Sequence, residues 1–234
     1  MNAMNTVIDA HELYKVYDRD TVPVYALNGV HLHIAEGEFI ALKGPSGSGK
    51  TTLLNMIGGL DKPDQGYVEV NGVNITGLRS NALIDFRLRN IGFVFQSYNL
   101  IPVLTAFENV EFIMLLQHRP KAERVSRVQE LLQQVGLQDK AGKRPAELSG
   151  GQQQRVAVAR ALAPKPRFIL ADEPTANLDT VSASNLLDIM ERLNRDEQIT
   201  FIFSTHDPRV IERARRVITL EDGRIVSDTA KRET

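Results

Sequence analysis

Apolar runs alternate with helical patterns along most of the chain. Residues 30–34 alternate strictly between apolar and polar, as in a strand with one buried face. Continuous apolar runs, typical of strands buried on both faces, occur at residues 38–42, 91–95, 167–172, 199–203 and 217–220. Helical patterns lie between or beside them, at residues 52–57, 80–88, 182–193 and 208–214. Strands alternating with helices predict an α/β fold with a mainly parallel sheet.

The middle of the chain has a different pattern. From residue 105 to residue 136 helical spacing replaces strand signals, with one apolar stripe formed by Val125, Val128, Leu131, Leu132 and Val135. We expect a helical lobe inserted in the α/β core; ordinary core helices are the alternative for its boundaries. The polar tail from Ser227 onward is expected to be loosely held.

Composition narrows the classes of function. The 234 residues are 42% hydrophobic and 24% charged, with a net charge of −1, so no basic excess points to nucleic acid as the main partner. The chain has no cysteine, which excludes disulfides and thiolate metal sites. The N-terminus lacks the pattern of a signal peptide, and residues 1–3 are either a tag remnant or an alternative start. No apolar run is long enough to cross a bilayer.

A glycine-rich loop carries the strongest chemical signal. It matches G-x-x-x-x-G-K-[ST] and lies between a predicted strand and a predicted helix, with the residues Gly44, Pro45, Ser46, Gly47, Ser48, Gly49, Lys50, Thr51 and Thr52. This arrangement aims free backbone N–H groups at one point, where the helix dipole and Lys50 add positive charge. The hydroxyl of Thr51 can bind Mg²⁺. We predict a nucleoside-triphosphate site; the alternative is a turn with an incidental lysine.

Polar side chains follow three other predicted strands. Asp172 and Glu173 end one strand, where one acid can hold Mg²⁺ and the next can orient or deprotonate a water. Gln96 ends a second strand and can ligate Mg²⁺ or hold that water. His206 ends a third and can donate to a γ-phosphate. Taken singly, each has an ordinary alternative as a loop residue or a structural histidine.

A second candidate for anion binding comes later in the chain. In Leu148-Ser149-Gly150-Gly151-Gln152, the serine is a good N-cap and the two glycines leave the amides of a following helix exposed. The ordinary alternative is a capped helix after a loop.

Six segments together resemble the nucleotide-binding subunit of ATP-binding cassette (ABC) transporters. In chain order they match its Walker A loop, Q-loop, signature, Walker B, D-loop and switch histidine: residues 44–51, Gln96, residues 148–152, residues 170–173, residues 177–179 and His206. The resemblance covers essentially the whole chain, and the signature is its most specific motif.

The resemblance implies how ATP and Mg²⁺ are held. Lys50 and the loop amides would bind the β- and γ-phosphates. Thr51 and Gln96 would coordinate Mg²⁺, and Asp172 would support the metal through water.

It also implies the groups for hydrolysis and adenine binding. Glu173 would be the general base, and His206 would contact the γ-phosphate. Tyr17 would stack on adenine, with Tyr14 and Tyr25 as nearby competitors.

A dimer and a membrane partner follow from the same resemblance. Two cassettes of this family pair head to tail, so Ser149, Gly150, Gly151 and Gln152 of one would contact the γ-phosphate bound by the other. Asp179 would lie at the seam. The partner would be an integral-membrane permease, placing the protein in the cytoplasm, peripheral on the inner face of the cell membrane. No direct nucleic-acid contact is expected.

Residues 93–102, 104–106 and 108–110 resemble the lipoprotein-release and macrolide-export branch, and so do residues 45–50. Leu100, Ile101 and Leu104 would help form a groove for a permease coupling helix, with core packing as the alternative. One rival hypothesis is the ATPase of a signalling or mechanical membrane complex. Another is a soluble ABC ATPase acting on nucleic acid or ribosomes, which the lack of a long heptad run and of basic excess disfavours.

The implied fold is α/β: a P-loop NTPase core with a mainly parallel sheet, an antiparallel β subdomain and an inserted helical subdomain. Residues 1–234 would form a single ABC ATPase domain. Residues 1–95 and 165–234 would supply the core and the β subdomain, and about residues 97–164 would supply the helical subdomain with the signature.

Overall fold

The computed structural model describes residues 5–18 and 22–231. The expectation about residues 1–3 lies outside this range. The strands are β1 (Thr6–Tyr17), β2 (Val24–Ala35), β3 (Phe39–Lys43), β4 (Gln65–Val70), β5 (Val73–Asn74), β6 (Ile91–Phe95), β7 (Phe168–Asp172), β8 (Thr200–Ser204), β9 (Arg216–Glu221) and β10 (Arg224–Ala230). The helices are α1 (Lys50–Ile57), α2 (Ser80–Asn90), α3 (Ala106–Leu116), α4 (Lys121–Gln134), α5 (Gly150–Leu162), α6 (Thr180–Glu197) and α7 (Pro208–Arg213).

A six-stranded sheet forms the centre of the molecule. Its strand order is β10-β9-β3-β8-β7-β6, and all neighbours are parallel except β10 and β9. Four residues of β3, Phe39 to Leu42, are fully buried, as the apolar run predicted. Phe95 pairs with Asp172, Asp172 pairs with Ser204, and Leu42 pairs with Ser204. The carboxyl ends of β6, β7, β8 and β3 therefore meet at one edge, and the predicted mainly parallel sheet is confirmed.

A second, four-stranded sheet is entirely antiparallel, in the order β2-β1-β4-β5. The alternation predicted for residues 30–34 is present, since Val30, Leu32 and Ile34 are buried and the two histidines are exposed. Asn71 and Gly72 have φ values of 48° and 75° between β4 and β5, as a two-residue hairpin turn of this twist requires. This sheet is the expected antiparallel β region.

The helices α3, α4 and α5 fill the middle of the chain, as predicted from their spacing. Val128, Leu131, Leu132 and Val135 are buried in a cluster that also contains core residues of β8, whereas Val125 is only half-buried. The helical region therefore shares one continuous core with a face of the central sheet. Among the described residues, no helix has both the length and the apolar character needed to cross a membrane.

The prediction of a loose tail is wrong for Ser227 to Ala230. These residues belong to β10, where Asp228 pairs with Ile218 and Thr229 with Val217. Backbone hydrogen bonds hold the strand although its side chains are exposed, and Arg216 Nη2 lies 2.7 Å from Asp228 Oδ2. The sequence predicts a strand at residues 225–226 but not its continuation to Ala230, because an edge strand of this kind needs no apolar pattern. The last three residues of the tail lie outside the described range.

A buried asparagine holds the loop between β6 and α3. Asn109 is fully buried in α3, and its Oδ1 accepts from Ile101 N at 2.8 Å. Its Nδ2 donates to the carbonyl oxygens of Ile101, Leu104 and Thr105 at 3.2, 3.1 and 3.0 Å. One side chain thus satisfies backbone groups of the whole turn.

We predict that Asn109→Ala lowers the free energy of unfolding by about 1–3 kcal/mol, because it leaves buried backbone groups without partners. Urea unfolding measures the change. The matched control is Asn81→Ala at an exposed position of α2, which should stay within about 0.5 kcal/mol of wild type. An equal loss in both variants would contradict the role given to Asn109.

Candidate functional site

A cleft of about 730 Å³ opens at the carboxyl edge of the central sheet. It brings together most of the residues predicted from the sequence, namely Tyr17, Gly44, Pro45, Ser46, Gly47, Ser48, Gly49, Lys50, Thr51, Thr52, Gln96, Glu173 and His206. Three further residues that the sequence did not single out, Val24, Ala26 and Ser204, also line it. The cleft is large enough for a nucleotide-sized ligand.

The glycine loop curls tightly between β3 and α1. Gly49 caps α1 with φ 101°, and a Cβ there would lie 2.2 Å from the carbonyl oxygen of Ala26. A Cβ on Gly44 would lie 2.1 Å from the carbonyl oxygen of Leu220. No other residue fits at either place. Lys50 Nζ donates to the carbonyl oxygens of Gly44 and Pro45 at 2.9 Å each, which keeps the ammonium group at the loop.

The first hydroxyl of α1 faces the acid at the end of β7. Thr51 Oγ1 lies 3.3 Å from Asp172 Oδ1 and 3.4 Å from Oδ2. The predicted pair is therefore in contact, although Asp172 itself does not line the cleft. A hydroxyl beside a carboxylate is an all-oxygen donor set of the kind that Mg²⁺ prefers.

Glu173 is fixed at both carboxylate oxygens. Its Oε1 lies 2.7 Å from His206 Nδ1, and its Oε2 accepts from the buried Thr205 Oγ1 at 3.1 Å. Its backbone has φ 45°, the left-handed region that a residue with a side chain rarely adopts. The two neighbouring acids have different partners: Asp172 contacts Thr51, and Glu173 contacts Thr205 and His206.

Gln96 is paired with a residue whose role the sequence did not suggest. Asn177 Nδ2 donates to the backbone oxygen of Gln96 at 3.0 Å, and Gln96 Nε2 lies 3.4 Å from Asn177 Oδ1. Tyr98 OH donates to the backbone oxygen of Asn177 at 3.4 Å. The loop after β6 and the loop after β7 are thus joined beside the cleft.

Tyr17 is the tyrosine that reaches the cleft, and neither Tyr14 nor Tyr25 lines it. Its hydroxyl donates to Asp61 Oδ2 at 2.8 Å. Burial and this hydrogen bond raise the pKa of Tyr17. Burial by itself would raise the pKa of Asp61, but hydrogen bonds from Lys15 and Tyr17 outweigh it and lower that pKa. Tyr17 is 36% exposed and is held by its hydroxyl, and Lys15 Nζ lies 5.1 Å from the centre of its ring.

The residues of the second predicted anion site lie outside this cleft. Ser149 caps α5 as expected: Gln152 N donates to Ser149 Oγ at 3.3 Å, and Ser149 N donates to Gln152 Oε1 at 2.9 Å. Side chains lie close to both glycines, since a Cβ on Gly150 would lie 2.8 Å from Tyr98 OH and one on Gly151 2.9 Å from Ser182.

Asp179 also lies outside the cleft, where it caps α6. It accepts from Val181 N at 3.0 Å and from Ser182 N at 2.9 Å. Hydrogen bonds from the side chain and backbone of Ser182 hold the pKa of Asp179 below its ordinary value. This capped helix end packs next to Gly151 of α5, so the two helix starts share one exposed surface.

Comparison with known proteins agrees with this geometry. A model of the ABC transporter family matches residues 27–176. The chain belongs to the ABC transporter family. The lipoprotein-releasing system ATP-binding protein LolD of Anaeromyxobacter dehalogenans is 48% identical over 221 residues, which are 94% of this chain and 92% of that protein. The macrolide export ATP-binding/permease protein MacB of Rhodospirillum rubrum is 45% identical over 96% of this chain, which spans 34% of that protein.

Solved structures show the same fold. The cassette is similar to MJ0796 of Methanocaldococcus jannaschii in a dimeric, post-hydrolysis structure bound to ADP and Pi. The TM-score is 0.88 at 42% identity, covering 97% of this chain and 100% of that chain. The expected α/β fold of an ABC ATPase cassette is confirmed, and the chain is an ATP-binding, ATP-hydrolysing subunit of this family.

An apolar groove lies beside the site loops of the cassette. Its volume is about 430 Å³, and its lining includes Ile84, Leu88, Ile101, Phe112 and Ile113. Of the three residues predicted for such a groove, Ile101 lines it. Leu100 packs against the core instead, so the alternative of core packing is correct there, and Leu104 is half-buried outside the groove lining.

A half-buried acid, Asp207, supports the loop that follows Glu173. Asp207 Oδ2 accepts from Thr175 Oγ1 at 2.6 Å and from Arg209 Nη2 at 2.7 Å. Burial alone would raise the pKa of Asp207, but the hydrogen bonds from Arg209 and Thr175 lower it to about 2. Because the folded-state pKa is depressed, the ionised carboxylate stabilises the fold at pH values above the unfolded-state pKa.

We predict that Asp207→Asn lowers the free energy of unfolding at pH 7 by about 1–2 kcal/mol, after allowing for screening of the partly exposed Arg209. The difference from wild type should be constant above about pH 5 and shrink as the pH falls from about 4 towards about 2. Urea unfolding over this pH range measures it. Asp85→Asn, at an exposed position of α2, is the control, and a pH-independent difference for Asp207→Asn would contradict the assignment.

Proposed function

We propose that this cassette drives an integral-membrane permease by a cycle of ATP-dependent dimerisation and ATP hydrolysis. The observation that carries the proposal is the meeting of Lys50, Gln96, Glu173 and His206 in one cleft at the sheet edge. A phosphate-binding loop alone would serve a binding protein. The carboxylate held at the same edge adds a group suited to activating water.

The donor set fits Mg²⁺ bound with ATP. Thr51 Oγ1, the amide of Gln96 and the carboxylate of Asp172 are all hard donors, and Thr51 already contacts Asp172. Thr51 and Gln96 would ligate the ion, and Asp172 would act through water. Bound there, Mg²⁺ would neutralise charge on the phosphates during transfer to water.

Glu173 is our candidate for the general base. One of its oxygens accepts from Thr205, which orients the carboxylate, and the other lies against His206. The side chain of His206 is exposed, as a contact to the γ-phosphate requires. Lys50 and the loop amides would hold the β- and γ-phosphates, and Tyr17 would stack on the base.

The exposed helix start at Ser149 to Gln152 supports a dimer with shared sites. It offers backbone amides at a helix N-terminus but does not line this chain's own cleft. A head-to-tail dimer would place it on the γ-phosphate held by the partner, with Asp179 at the seam. The MJ0796 relative is described as dimeric, which favours this assembly.

The likeness to LolD and MacB supports a permease of the lipoprotein-release or macrolide-export type. The apolar groove lined by Ile101 would receive part of the permease. About residues 97–164 would move as a helical subdomain, and residues 1–95 and 165–234 as the core with its β subdomain. The cassette would then work in the cytoplasm, on the inner face of the membrane through its permease.

We predict that Glu173→Gln binds ATP, dimerises and loses hydrolysis by about 10²- to 10⁴-fold, because the amide cannot take a proton from water. Lys50→Ala should instead lose nucleotide binding. Phosphate release measures turnover, and light scattering with and without MgATP measures the dimer. The control is Glu123→Gln, at an exposed position of α4, which should resemble wild type. Wild-type turnover in Glu173→Gln would remove the catalytic assignment.

We predict that tagged Glu173→Gln, locked with ATP and purified from gently solubilised membranes of the source cells, brings down a permease. A few-span permease with a large outer domain supports the proposed branch. A permease with many spans contradicts the assignment to this branch but agrees with the proposal of a permease partner. Envelope enzymes without any transported cargo would favour a signalling or mechanical complex, and ribosomal or DNA-bound proteins alone would contradict a membrane partner. Mass spectrometry identifies them, with Lys50→Ala as the control.

A further inference from the structure

One buried side chain lies directly behind the two groups at the centre of the cleft. Gln154, in the second turn of α5, is fully buried. Its Nε2 donates to the carbonyl oxygen of Pro174 at 2.8 Å and to that of Phe95 at 3.3 Å. Pro174 immediately follows Glu173, and Phe95 immediately precedes Gln96. A single amide group therefore joins the backbone on either side of the proposed water-activating groups.

The amide oxygen of Gln154 indicates that the position requires the N–H donor of the same side chain. Gln154 Oε1 is buried and has no hydrogen-bond partner among the residues that the structure describes, which is a costly state for an amide oxygen. Rotating the amide would place its oxygen against two carbonyl oxygens, which is worse. Its neighbours on α5, such as Val156 and Val158, fill the core with apolar groups. An apolar residue at 154 would avoid the unpaired oxygen but would remove the donor to Pro174 O, while Phe95 O would keep the donor Tyr98 N, at 3.2 Å.

The position of Gln154 on α5 adds a mechanical consequence. The same helix begins with Ser149 to Gln152, the segment proposed to contact the nucleotide of a partner cassette. A helix is rigid over a few turns, so a shift of its first turn moves Gln154 with it. Because Gln154 is hydrogen-bonded to the carbonyls of Phe95 and Pro174, these two residues would move with it. Gln96 and Glu173, their neighbours in the chain, would move as well.

We propose that Gln154 is a positioning residue for ATP hydrolysis, which fixes the spacing between Gln96 and Glu173 and ties both to the first turn of α5. This inference rests on the proposed function. Gln154 touches neither nucleotide nor metal in this assignment. It acts through the backbone of two loops.

The test is Gln154→Met, which keeps the length of the side chain and removes the donor. We expect turnover at saturating MgATP to fall by about 10- to 100-fold, since small displacements of reacting groups have effects of this size. The Kd for ATP should stay within about twofold of wild type, because Lys50 and the glycine loop are unchanged. Phosphate release gives turnover, and calorimetric titration gives the Kd. Gln154→Asn, which keeps an amide too short to reach both carbonyls, should show an intermediate loss if Gln154→Met does not fold.

Gln117→Leu is the matched control. Gln117 is also buried, and its Nε2 donates to the carbonyl oxygen of Leu88 at 2.8 Å, away from the cleft. Its loss should lower the thermal midpoint as Gln154→Met does, yet leave turnover within about twofold. Equal losses of turnover in both variants would show a general effect on stability and overturn the inference. Wild-type turnover in Gln154→Met would overturn it as well. An inactive wild-type chain would instead contradict the proposed function, so the two failures are distinguishable.

Discussion

The register of the parallel strands is the constraint on which the site depends. Phe95, Asp172 and Ser204 are paired across β6, β7 and β8, and Leu42 of β3 is paired with Ser204. The residues that follow each of these strands therefore lie at the same edge of the sheet, close to the start of α1. A slip of one residue in any strand would turn its side chains to the other face and move its terminal polar group out of the cleft.

Buried polar groups hold this edge in place. Thr205 and Thr175 are almost fully buried, and each donates its hydroxyl to a carboxylate, of Glu173 and Asp207 respectively. In surroundings of low dielectric constant such hydrogen bonds are strong, and leaving one unmade is expensive. These buried hydrogen bonds stabilise the loops that form the cleft, while Lys50, Thr51 and His206 remain accessible at its surface.

The cleft and the first turn of α5 are two different surfaces of one fold. The cleft holds the glycine loop and Glu173, whereas the first turn of α5, capped by Ser149, is partly exposed outside it. Both are suited to phosphate oxygens, but the first turn of α5 does not line this chain's own cleft. The proposed head-to-tail dimer gives each surface its counterpart. The buried Gln154 would then connect the surface that meets the partner with the groups that act on this chain's own nucleotide.

The sequence by itself determined the features that depend on neighbouring residues. The glycine loop, the cap formed by Ser149 and Gln152 and the turn at Asn71 are set by local backbone geometry, which a few consecutive residues specify. The resemblance added the roles of Gln96, Glu173 and His206, and the cleft brings these residues together. Only the tertiary structure decided the long-range partners of Asn177, Asp207 and Gln154. These interactions join positions far apart in the chain, and those of Asn177 and Gln154 use backbone carbonyl groups, which every residue has. A contact with a group that all residues share leaves no pattern in the sequence, so only the folded structure shows which residues make it.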